Sequence, residues 1–88
     1  MPASSEIVVT LPAGVDLHAR PAAQFVRTAV AFSARIAVGA GDRVADAKSL
    51  LAILALGAKG GTPLHLTASG DDAASALSAL SECVAAFD

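Results

Sequence analysis

The run His18-Ala19-Arg20-Pro21 holds the chain's best-placed chemical groups. Proline is tolerated near a helix start, where its missing N–H is not needed, so Pro21 marks His18 as the residue from which a helix departs. Ser, Thr, Asp or Asn normally fills that position and caps the first amides with a side-chain oxygen. An imidazole there leaves the first-turn N–H groups to another partner. Those amides and the positive end of the helix dipole favour an anion such as phosphate. Arg20 adds a permanent charge and can donate two parallel hydrogen bonds to phosphoryl oxygens. A neutral imidazole is nucleophilic without a dedicated base. Phosphoryl transfer depends mainly on alignment and on stabilising the charge of the equatorial oxygens, and a helix N-terminus with an arginine supplies the second. The same spacing also fits a plain helix start beside a solvated arginine, and alone it does not choose between the two.

Other reactive side chains are sparser. Ser49 immediately precedes Leu50 and fits a helix N-cap. His65 alternates between Leu64 and Leu66 and is expected on the face of a strand away from the core. Metal binding by His18 with His65 is disfavoured, since a zinc-type site wants three or four ligands and no thiolate or carboxylate cluster joins them. No metal or other cofactor is expected. Cys83 is the lone cysteine, too few for a disulfide or a multi-thiolate site. Asp71 and Asp72 are expected to cap the helix that follows them.

The elements that must position these groups can be read along the chain. Ile7–Leu11 is rich in β-formers and stops at Pro12-Ala13-Gly14. Ala22, Phe25, Val26, Ala29 and Phe32 recur at helical spacing opposite Gln24, Arg27 and Thr28, which predicts a helix from Ala19 to Phe32. Arg35–Val38 and Arg43–Ala45 flank Gly39–Asp42 and read as a hairpin. A short helix runs from Ser49 towards Gly57. Leu64, Leu66 and Ala68 alternate in another strand, and Ala73, Leu77, Leu80, Val84 and Phe87 line one face of a last helix opposite Ser75, Ser78, Ser81 and Glu82. The order β-α-β-β-α-β-α predicts an α+β two-layer domain, four strands with helices on one face and the other face open to solvent. Leu50, Leu51, Ile53 and Leu54 cannot all face the core of so short a helix, so Leu50 and Leu51 are expected to stay exposed.

Eighty-eight residues allow one module, residues 1–88. The hydrophobic share of 55% is inflated by 22 alanines, with only three aromatic residues, all phenylalanine. The longest unbroken apolar stretch, Leu50–Leu56, falls well short of the roughly 20 residues of a membrane span. Met1–Glu6 lacks the basic segment and apolar run of a secretory signal, so a cytoplasmic location is expected. A net charge of −2 without Trp or Tyr argues against nucleic acid as the main partner. An enzyme in its own right is disfavoured by the lack of a second catalytic group or deep-pocket signature.

At this point the chain resembles a known family, the histidine-containing phosphocarrier (HPr) proteins of the bacterial sugar phosphotransferase system. Leu17-His18-Ala19-Arg20-Pro21-Ala22-Ala23-Gln24-Phe25-Val26 is similar to the family's active-site signature. Ala47-Lys48-Ser49-Leu50-Leu51 with Leu56-Gly57 resembles its second block. The resemblance implies an open-faced β-sandwich of a four-stranded antiparallel sheet and three helices. It implies that His18 carries phosphate on Nδ1, with Arg20 assisting, between enzyme I as donor and enzyme IIA as acceptor. A phosphoramidate on an exposed imidazole suits a carrier better than a serine ester, because it forms and leaves easily. The chain would act as a monomer that shuttles phosphate without turning over sugar.

The resemblance further matches Ser49 to a serine modified by HPr kinase/phosphorylase in some bacteria, and Leu50, Leu51, Leu54, Gln24 and Arg27 to partner contacts. Two other readings stay open. One is a paralogue in a nitrogen-linked or dihydroxyacetone-kinase phosphorelay. The other is a regulatory module acting through phospho-Ser49 on a transcriptional regulator. One departure stands out: Asp16 replaces the family's usual glycine two residues before the histidine, and Pro12–Leu17 looks about two residues longer than common. Asp16 is expected either to cap the first helix or to repel a bound phosphoryl group.

Overall fold

The computed structural model describes residues 4–87. Its elements are β1 (Ser4–Thr10), α1 (Ala19–Val30), β2 (Arg35–Ala40), β3 (Arg43–Asp46), α2 (Leu50–Leu56), β4 (Pro63–Ser69) and α3 (Ala73–Ala85). The predicted order holds throughout. The four strands form one antiparallel sheet in the order β1-β4-β2-β3. β4, the last strand in sequence, therefore lies between β1 and β2, so the pairings of β1 and β2 with β4 join residues far apart in the chain, while β2 and β3 pair as a local hairpin.

Alternation sorts each strand into two faces. Leu64, Leu66 and Ala68 of β4 and Ile36 and Val38 of β2 are buried towards the helices. Glu6, Thr67, Ala37 and Asp46 are in register across the opposite face, where Val8, His65 and Val44 also sit. That face carries no helix. α3 packs on β1, β4 and α1, while α2 packs on β3 and α1. The core between the layers is built from small side chains, with Ala22 and Ala29 of α1 and Ala73 and Ala76 of α3 wholly buried around Phe25.

Several boundaries differ from expectation: β1 starts at Ser4 rather than Ile7 and stops at Thr10, and β3 runs on to Asp46. The β2–β3 hairpin turns on Gly41-Asp42 alone, with Gly41 at φ +62°, so β2 continues through Gly39 and Ala40. α1 ends at Val30 rather than Phe32. The amides of Ala31 and Phe32 reach back to Thr28 and Ala29, tightening the last turn to i−3 bonds. Beyond them Ser33 and Ala34 donate their amides to the Asp72 carboxylate at 2.9 and 2.8 Å, which peels the chain off the helix axis. Asp72 thus corrects the capping expectation: it holds the N-cap position of α3, yet its side chain makes no cap bond there and ties the turn before α3 to the loop after α1. Gly70 makes the approach possible, since a Cβ there would lie 3.0 Å from Ala34 Cα.

Candidate functional site

His18 is the N-cap residue of α1, in extended conformation at φ −146° and ψ 165°, and its side chain makes no capping hydrogen bond. The imidazole is solvent-exposed. Ala19, the next residue, sits in the left-handed region at φ +48°, the one non-glycine residue to do so among those described. For an L-residue this costs on the order of 1 kcal/mol. Neighbouring contacts must hold the backbone there. The first-turn amides of Ala19 and Arg20 have no intrahelical partner, and Pro21 contributes none. Arg20 is exposed beside them. An exposed imidazole, an arginine and two uncapped amides therefore share one helix mouth, an arrangement that fits a phosphoryl group.

The segment that delivers His18 is pinned to a second loop. Leu11 exchanges backbone bonds with Gly61 and Thr62, its N–H donating to Thr62 at 3.0 Å and its carbonyl accepting from Gly61 at 2.9 Å. Leu17 is wholly buried and donates its N–H to the Ala58 carbonyl at 2.8 Å. Between these ties, the Gly60 N–H donates to Asp16 Oδ1 at 2.9 Å, and the His18 N–H donates to the Asp16 carbonyl at 2.8 Å. Asp16 accordingly does not cap α1. Its carboxylate turns to the Ala58–Thr62 loop because His18 itself occupies the N-cap position. Gly60 is obligatory at this junction: a Cβ would lie 2.6 Å from Gly14 N and 2.8 Å from Val15 N.

The second matched block lies on the neighbouring helix. Ser49 caps α2, its hydroxyl oxygen accepting the Ala52 N–H at 3.2 Å. Lys48 Nζ donates to the Phe32 carbonyl at 2.6 Å and ties the start of α2 to the end of α1. Ile53 and Leu56 are buried, Leu54 is half-buried, and Leu50 and Leu51 are 43% and 81% exposed. Gln24 and Arg27 are exposed on α1. α1 and α2 pack together, so both blocks occupy adjacent helices, although none of these side chains hydrogen-bonds to His18 or Arg20. His65 stands apart on the solvent face of β4, and Cys83 is half-buried at the edge of the α3 stripe. Sequence reasoning missed the supporting role of Ala58 and Gly60. Gly60-Gly61 reads as a helix stop, and its second use as a close-approach point depends on a loop more than 40 residues away.

Fold and site together define a class: an open-faced α+β domain presenting an exposed histidine at the mouth of its first helix. A family model described as the PTS HPr component phosphorylation site matches residues 3–86. The chain belongs to that family, the HPr phosphocarriers of the phosphotransferase system. It is 47% identical over 64 residues to the phosphocarrier protein HPr of Haemophilus influenzae, covering 73% of this chain and 75% of that one. It is also 47% identical over 75 residues to a multiphosphoryl transfer protein of Xanthomonas campestris, of whose length it spans only 9% while 85% of this chain is covered. The crystal structure of HPr from Bacillus anthracis superposes with a TM-score of 0.88 at 35% identity, covering 93% of this chain and 98% of that one.

Proposed function

We propose that this phosphocarrier takes a phosphoryl group from phospho-enzyme I onto His18 and passes it to enzyme IIA. The observation that carries the reading is the exposed His18 imidazole at an uncapped helix mouth with Arg20 beside it. In the first transfer a lone pair on His18 attacks phosphorus as the donor's N–P bond breaks, and the electron pair stays with the donor nitrogen. In the next step the same bond forms on the acceptor and breaks on His18. The family resemblance makes Nδ1 the bonded atom. Arg20 and the first-turn amides offset charge on the phosphoryl oxygens while the group is held. The protein contributes position and charge, and the sugar chemistry belongs to its partners.

Exposed Leu50 and Leu51, half-buried Leu54, and Gln24 and Arg27 form the docking surface in this reading. Ser49 is its regulatory position. A phosphate there, placed by HPr kinase/phosphorylase, would set a dianion next to Leu50 and Leu51 and oppose docking by charge and bulk. The reading places the protein in the cytoplasm as a single module, and no described helix is long and apolar enough to cross a membrane. The deciding experiment incubates the protein with enzyme I and 32P-labelled phosphoenolpyruvate. The label is expected to be acid-labile and absent from His18→Ala. An acid-stable label, or one that survives the substitution, would overturn the assignment.

A further inference from the structure

The geometry points to Asp16 as a positioning residue for His18, acting through the Asp16 Oδ1–Gly60 N–H bond. The inference rests on His18 being the phosphoryl acceptor. Asp16 is held at both ends: its carboxylate accepts the Gly60 amide at 2.9 Å, and its carbonyl accepts the amide of His18 itself at 2.8 Å. The Gly60 loop is thereby linked to the His18 backbone through one residue. The other ties between the two loops are backbone bonds at Leu11 and Leu17, which need no particular side chain and exclude only proline at the donors. Only the Asp16 tie depends on a side chain. It is also the tie whose loss leaves Pro12–Asp16 held at its ends and by two local backbone bonds, Val15 N–H to the Pro12 carbonyl and His18 N–H to the Asp16 carbonyl, neither of which reaches the Gly60 loop.

A loop of this length fixed only at its ends samples many conformations. Few of them would keep Ala19 at φ +48° and His18 extended, because that left-handed conformation is unfavourable for alanine unless its surroundings impose it. The carboxylate restricts the loop to the arrangement that presents the imidazole, and the phosphoryl-competent fraction of molecules scales the observed rate. Gly60 completes the device, because a Cβ there would collide with Gly14 N and Val15 N and push the loops apart.

The test follows Asp16→Ala, Asp16→Asn and Gly60→Ala by phosphoryl acceptance from enzyme I and by the Gly60 amide in 1H–15N spectra, with circular dichroism melts confirming that each variant is folded. Asp16→Ala is expected to shift the Gly60 amide to the position of a solvent-bonded N–H, to raise its hydrogen exchange, and to slow acceptance about tenfold, the scale of one hydrogen bond to a charged group. Asp16→Asn keeps an acceptor oxygen and restores the rate to within about threefold of wild type. Gly60→Ala slows acceptance as Asp16→Ala does. A folded Asp16→Ala that accepts phosphate at the wild-type rate would overturn the anchor, as would Asp16→Asn being as slow as Asp16→Ala. These results differ from failure of the carrier reading, in which wild-type protein takes no label on His18 while the Gly60 amide still reports its bond.

Discussion

The Asp72 carboxylate gathers the Ser33 N–H, the Ser33 hydroxyl at 3.2 Å and the Ala34 N–H, and in doing so joins two loops that are 38 and 39 residues apart. The Ser33 backbone bond is the main reason its carboxyl lies below the usual aspartate value of 3.8. Partial desolvation opposes the shift, and the Ala34 amide and Ser33 hydroxyl add to it. A depressed carboxyl contributes stability that is complete above the unfolded pKa and is lost as pH falls through the folded one. Asp72→Asn is therefore expected to melt below wild type at neutral pH, with the gap narrowing below about pH 4. Melts recorded from neutral pH down to acid check this, and a pH-independent gap would show that charge is not involved. Residues differ in how far a local reading can place them. His18 was legible because helix-start chemistry is local. Asp72 was not, because an aspartate before a helix is equally suited to capping and to accepting distant amides, and Ser33 lies beyond any local window.

At the scale of elements, α2 shows how a short apolar helix divides its surface. Ser49 supplies the N-cap and Gly57 the left-handed C-cap at φ +65°, so the helix is closed at both ends within seven residues. Ile53 and Leu56 take the buried positions, and the length leaves no core for Leu50 and Leu51. Ser49→Ala should cost about 1 kcal/mol through loss of the cap, measurable by urea denaturation. Leu50→Asp and Leu51→Asp should change stability by less than about 0.5 kcal/mol, as substitutions on an exposed surface do, yet weaken transfer from enzyme I. Full transfer rates in both variants would remove this surface from the docking reaction. Element order was legible because glycine, proline and aspartate punctuate nearly every boundary, and exposure on α2 followed from its length. Strand order was not legible. Nothing in Leu64–Ala68 states that it inserts between β1 and β2, because its two neighbours present the same alternation and only the closed sheet distinguishes them.

For the whole molecule, an alanine-rich interior concentrates stability in few side chains. Phe25 is wholly buried and is the largest such residue, with Ala22 and Ala29 beside it on the same helix face. It seats α1 on the sheet, and α1 is also the element that carries His18 and Arg20. Phe25→Ala removes the transfer energy of an aromatic ring and leaves a cavity that small neighbours cannot fill, a loss of about 3–5 kcal/mol. A domain of this size has in total about 4–13 kcal/mol to lose. The urea midpoint is expected to fall by about a quarter or more, with the unfolding slope unchanged if the transition remains two-state. The effect on phosphoryl acceptance should then follow the folded fraction: well below the new midpoint, acceptance per folded molecule stays near wild type. A loss under about 1 kcal/mol would mean that the helical layer closes over the gap, contrary to dense packing of the interior. Acceptance falling while the protein remains folded would show instead that the seat of α1 and the geometry at its mouth are coupled, so that core packing tunes the exposed histidine directly.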